Sequence, residues 1–140
     1  MFEGIENQVR EGESITIRRG KRGSIVVIRE RNSKLNCREL IVYKENKAVL
    51  ACLYSISKEI ENCWDEYRDC TDEYEKISGK TYSDIDELIT NGIEIKISAQ
   101  PRNLELVVKK DDEEDIKIVG QTVDALMYFL EKEASKVYSC

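Results

Sequence analysis

The chain repeats itself, and that constrains its fold more than any other feature. Sliding the sequence along itself by 80 residues brings Phe2 onto Tyr82, Ile5 onto Ile85, Val9 onto Ile89 and Gly12 onto Gly92. In the same register Ile15 meets Ile95, Ile17 meets Ile97, Arg22 meets Arg102 and Val27 meets Val107. The register then tightens by three residues, so Ile41-Val42 falls on Ile118-Val119. It tightens by three again, placing Ala48–Tyr54 on Thr122–Tyr128 and Lys58-Glu59 on Lys132-Glu133. Both length changes fall in polar, turn-like segments, where insertions cost little. The pattern types agree too, with helix spacing on helix spacing and strand spacing on strand spacing. A duplicated chain must build the same local plan twice.

That plan reads α-β-β-β-α. Phe2, Ile5 and Val9, and later Tyr82, Ile85, Leu88 and Ile89, recur at helical spacing. Ser83 followed by Asp86 forms a capping-box pattern, while Gly12 and Asn91-Gly92 are helix stops. Ile15/Ile17 and Ile93/Ile95/Ile97 alternate as strands do. Tight polar turns follow at Arg19–Gly23 and Gln100–Asn103, and the second strands span Ser24–Arg29 and Leu104–Lys109. Charged loops lead to third strands at Glu39–Tyr43 and Asp115–Val119, and a closing helix completes each unit. The order is similar in topology to double-stranded-RNA-binding domains. The likeness stops at element order, because those domains carry a histidine-containing loop and a lysine cluster at the second helix. Here the corresponding helix starts read Lys44-Glu-Asn-Lys47 and Gly120-Gln-Thr122.

The first closing helix reads as unusually long. Val49, Leu53, Ile56, Ile60, Cys63, Tyr67, Cys70, Tyr74 and Ile77 alternate spacings of four and three, a heptad seam. No Gly or Pro intervenes before Gly79, so the spacing predicts one helix over 47–78, roughly 45 Å long. The second closing helix repeats only the first part of the seam, at Val123, Met127, Leu130, Ala134 and Val137. The expected fold is therefore α+β: two tandem αβββα units with antiparallel three-stranded sheets, joined by a long heptad-patterned helix. Its divisions are 1–62, the connecting helix and linker at 63–80, and 81–140. The stretch Cys63–Ile77 is a spacer packed on the second unit, or a seam through which Trp64, Tyr67, Cys70 and Tyr74 join another copy or a partner, or the helix breaks near Asn62.

Composition narrows the chemistry. There is no histidine, which removes Ser-His-Asp and Cys-His catalysis and the common zinc hydrolase designs. The five cysteines form no C-x-x-C pair, so neither a zinc site nor a disulfide framework is indicated, and reduced thiols are expected. No cofactor and no metal are expected. The run Lys110–Asp115 lacks the glycine and spacing of a calcium loop. No apolar stretch approaches the ~18–20 residues that span a bilayer, and Met-Phe-Glu-Gly does not open like a signal peptide. A cytoplasmic protein without membrane contact is expected.

Charge divides the chain. Residues 1–48 hold eleven Lys/Arg and seven Asp/Glu, whereas residues 49–140 hold eleven and twenty-one. Arg18, Arg19, Lys21 and Arg22 crowd one hairpin tip, and Arg29 and Arg31 close the next strand. Such a patch can be a solvated face, meet an acidic protein surface or bind phosphate. The favoured expectation is a non-enzymatic interaction protein, such as an inhibitor or decoy of phage or mobile-element type acting on a larger cytosolic assembly, with a homodimer or larger species possible. The alternative is a module that sequesters nucleic acid or an anionic small molecule at the basic hairpin.

Overall fold

A computed structural model describes residues 2–20, 24–31, 38–43, 49–62, 71–78, 94–110 and 114–138. In chain order the elements are α1 (Glu3–Arg10), β1 (Glu13–Arg19), β2 (Ile25–Arg31), β3 (Arg38–Tyr43), α2 (Val49–Asn62), α3 (Thr71–Ser78), β4 (Glu94–Ala99), β5 (Leu104–Lys109), β6 (Ile116–Gly120) and α4 (Val123–Tyr138). Alternate strand positions point to opposite faces. One face collects Ile15, Ile17, Ile25, Val27, Ile41, Tyr43, Ile95, Ile97, Leu104, Leu106, Val108 and Ile118, all buried. These side chains form one continuous core with the apolar stripes of α1, α2 and α4.

The strands make a single sheet of six in the order β3-β2-β1-β4-β5-β6. This corrects the expectation of two units with separate three-stranded sheets. The strands β1 and β4 pair antiparallel, Ile15 opposite Ile97, Thr16 opposite Lys96 and Ile17 opposite Ile95. Left in two units, each would be an edge strand with unpaired backbone groups beside an apolar face. Pairing them satisfies those groups and merges the cores. Thr16 and Lys96 are equivalent under the 80-residue repeat, and they sit directly opposite one another. A local two-fold axis therefore passes between them, and the strand order reads outward identically on both sides.

One step of the repeat is off by a residue. Ile17 lies opposite Val27 in the first hairpin, whereas its equivalent Ile97 lies opposite Leu106 in the second. Val27 thus corresponds to Leu106 rather than Val107. Hairpin closure explains it: Gly20 N–H donates to Ser24 O at 2.9 Å, but Gln100 N–H donates to Asn103 O at 2.8 Å, so the second loop is one residue shorter. Since a one-residue slip exchanges faces, Leu106 is buried and Val107 is half-buried on the outer face. The later step, Ile41 onto Ile118, holds, and both are buried.

Helix α1 lies across the centre, tied at each side. Its N-terminal backbone N–H groups need acceptors, and Phe2 at the cap position supplies none. Helix α2 supplies them: Ser57 Oγ accepts from Gly4 N at 3.0 Å and Ile5 N at 3.3 Å, and Glu61 Oε1 accepts from Gly4 N at 3.2 Å. A Cβ at Gly4 would stand 2.2 Å from the Ser57 carbonyl oxygen, so only glycine permits this approach. In turn Glu6 Oε1 of α1 accepts from Val123 N, the first residue of α4, at 2.9 Å. The helix stop at Gly12 is observed, with φ at +107°.

The predicted helix over 47–78 is not one helix. Tyr54 and Tyr74 have ring centroids 5.6 Å apart, yet twenty residues of continuous α-helix would separate them by ~30 Å. Helix α3 instead folds back on α2, and Tyr54 Oη donates to Glu73 Oε1 at 2.9 Å. The seam residues Val49, Leu53 and Ile56 of α2 are buried in the core, whereas on α3 Tyr74 meets Tyr54, which lies off the seam, and Ile77 is exposed. The second opening helix expected near 82–89 lies outside the described residues.

Candidate interaction surface

The basic patch does not form one site. Arg18 is exposed on the outer face of the sheet and Arg19 is half-buried on the core side, while Lys21 and Arg22 lie outside the described residues. Arg29 and Arg31 sit at the opposite end of the hairpin, opposite Ile15 and Glu13. At ~3.4 Å per residue, Arg31 is roughly 20 Å from the tip along the strands.

There they are spent on carboxylates. Arg29 Nε donates to Glu13 Oε1 at 2.5 Å, and its NH1 donates to Glu39 Oε2 at 3.0 Å. Arg31 Nε lies 3.5 Å from Glu13 Oε2, and its NH2 donates to Gln8 Oε1. Burial by itself would lower the Arg29 pKa, but the hydrogen bond and charge of Glu13, with Glu39 and Glu59 beyond, hold it above its ordinary value. Glu59 of α2 approaches from the helix side, and its Oε2 is buried with no hydrogen-bond partner. Burial first, and then repulsion from Glu39, push the Glu59 pKa up against the pull of Arg29. Glu13, Arg29, Arg31, Arg38 and Glu39 line an open cleft of about 300 Å³. Arg38 Nε lies 3.9 Å from Glu30 Oε1, so each arginine of this cluster has a carboxylate within ion-pair distance, and the cluster closes the end of the core.

Of the self-association residues, Trp64, Tyr67 and Cys70 lie outside the described residues. Tyr74 is 2% exposed, covered within its own chain against Tyr54. Among the described residues no group of His, Cys, Asp or Glu is placed to hold a metal ion. No helix there is long and apolar enough to cross a membrane.

Apolar side chains stand exposed on β3, at Leu40 and Val42, and most prominently, as an aromatic pair, on α4. This helix satisfies its core stripe with Val123, Leu126, Met127, Leu130 and Ala134, all buried. Thr122 Oγ1 caps it, accepting from Ala125 N at 3.1 Å. Two further aromatic residues lie outside the stripe: Tyr128 is 52% exposed and Phe129 is 43% exposed. Their rings meet edge to face, centroids 5.6 Å apart, and Lys132 Nζ sits 4.6 Å from the Tyr128 centroid. Phe129, Lys132 and Glu133 form one wall of a groove of about 460 Å³ whose other wall is Ile116–Val119 of β6. As β6 is the last strand of the sheet, one row of its backbone groups faces no neighbouring strand among the described residues. Val119 adds a 49% exposed apolar side chain at the rim.

This surface was readable as a surplus. A helix that already has a complete stripe at 123, 127, 130 and 134 does not need an adjacent Tyr-Phe pair for its own core. Comparison with family models, with curated proteins and with solved structures found no match to this chain.

Proposed function

We propose that this chain is a non-enzymatic interaction protein that binds another protein through the face of α4 bordering β6. The observation that carries the reading is the pair Tyr128 and Phe129, half in water on α4, with Phe129 lining the groove against the end strand β6. Aromatic side chains placed this way supply large contact area at small entropic cost and are favoured anchors of protein interfaces. The absence of histidine favours it over histidine-dependent catalysis, and the pairing of Arg29 with Glu13 and Glu39 speaks against anion capture at that end of the hairpin. An inhibitor or decoy would use such a face by filling its target's docking site, and the formal charge of −6 would steer it toward basic targets.

The test is affinity capture with the intact chain and with Tyr128→Asp and Phe129→Asp. The expected result is loss of the partner from both variants while their circular dichroism and urea midpoints match the parent. Undiminished capture by both variants, or loss only on charge reversal of Arg18 and Arg22, would contradict the proposal.

A further inference from the structure

The repeat shows what covers the equivalent face in the other half. Tyr128 corresponds to Tyr54, and Lys132 corresponds to Lys58. The local chemistry is the same in both places, with Lys58 Nζ 5.5 Å from the Tyr54 centroid and Lys132 Nζ 4.6 Å from that of Tyr128. The surroundings differ. Tyr54 is 2% exposed, because α3 lies against it with the Tyr74 ring at 5.6 Å and Glu73 accepting its hydroxyl hydrogen. No described helix lies against Tyr128.

We infer that the Tyr128–Lys132 face of α4 docks an acidic amphipathic helix of a partner protein, one that presents an aromatic ring beside a carboxylate as α3 does to α2. The inference rests on the reading of α4 as a docking surface and specifies its occupant. The charge beside the ring points the same way: Lys132 stands over Tyr128 as Lys58 stands over Tyr54, and the helix that fills the matching place carries Asp72, Glu73 and Glu75 around Tyr74. Lys117 at the groove is paired with Glu105, and Glu133 also lines the groove. Phe129 stands where α2 has the buried Ser55, so the docked helix meets more apolar surface here than α3 finds on α2. A second copy's α3 is not free to serve, since its Tyr74 is already buried on its own α2.

The probe is a synthetic peptide of residues 69–80, stapled as a helix and titrated to about 1 mM into the ¹⁵N-labelled full chain. Saturable shifts are expected at Tyr128, Phe129 and Lys132. Affinity should fall at least tenfold with Tyr128→Ala in the chain, or with Tyr74→Ala or Glu73→Lys in the peptide. No shift at these residues overturns the inference, as does equal binding by an unstapled scrambled peptide. A dimer in sedimentation that Phe129→Asp dissolves also overturns it, making the occupant a second copy while α4 remains a docking surface. If, besides, Tyr128→Asp and Phe129→Asp leave partner capture unchanged, the underlying reading fails as well.

Discussion

Tyr54 and Tyr128 hold the same place on two equivalent helices, and only Tyr54 is covered, 2% exposed against 52%. Identical residues in duplicated positions thus do different work: one locks α3 onto α2, the other faces solvent. Their substitutions should separate accordingly. Tyr54→Ala removes a buried ring together with its hydrogen bond to Glu73, and should destabilise the chain by about 3 kcal/mol. Tyr128→Ala should change stability by no more than about 0.5 kcal/mol. Urea denaturation of the two variants checks this, and equal losses would show that Tyr128 is part of the core.

The ion-pair cluster gives a second test. The Glu13 side chain is 2% exposed and that of Arg29 is 14% exposed. Glu13→Ala leaves a mostly buried guanidinium short of its main partner and should cost about 3 kcal/mol, since breaking a buried pair is worse than never having it. Replacing both, as Glu13→Leu with Arg29→Met, should recover most of that loss. Equilibrium unfolding of the single and double variants measures it, and a double variant as weak as Glu13→Ala would contradict the assignment.

Glu59 sets a pH dependence whose sign follows from its environment. Its pKa is raised in the folded chain above the ordinary 4.5, so the folded state holds this proton more tightly than the unfolded state does. Stability from this group is therefore present at low pH and is lost as pH rises from about the unfolded value through the raised folded one. Glu59→Gln should flatten that part of the stability profile and make the chain more stable than the parent at pH 7. Urea midpoints across pH 4–8 read this out. A Glu59→Gln profile parallel to the parent's would argue against a buried, unpartnered carboxyl.

Much of the fold was legible because strand alternation is a local signal. The alternation of Ile15/Ile17 and Ile95/Ile97 marks one apolar side of each strand, and all four are buried. The pairing of β1 with β4 was not legible, because periodicity states which side of a strand is apolar but not which strand lies beside it. The four-three spacing misled at α2 and α3 because it is a local signal that runs on across two separate helices: Tyr74 meets Tyr54, which lies off the seam, and Ile77 is exposed. Composition groups Arg29 and Arg31 with the basic hairpin tip, although they continue the parity of Ile25 and Val27. That parity, with Glu13 two residues before Ile15, was the available sign that these charges turn toward the core and meet there. The open face on α4 is hard to see in the pattern because Tyr128 and Phe129 lie outside the seam of Val123, Met127, Leu130 and Ala134.

The most direct test of the account is solvent contact at the two equivalent tyrosines, read by ¹⁹F NMR of the full chain labelled with 3-fluorotyrosine and assigned by Tyr54→Phe and Tyr128→Phe. In the free monomer the Tyr128 resonance should shift between H₂O and D₂O while the Tyr54 resonance does not. Binding of a partner at α4 should abolish the Tyr128 isotope shift and leave Tyr54 unchanged. A Tyr128 resonance as shielded from solvent as Tyr54 in the free monomer would contradict the account, because α4 would then have no open face to offer.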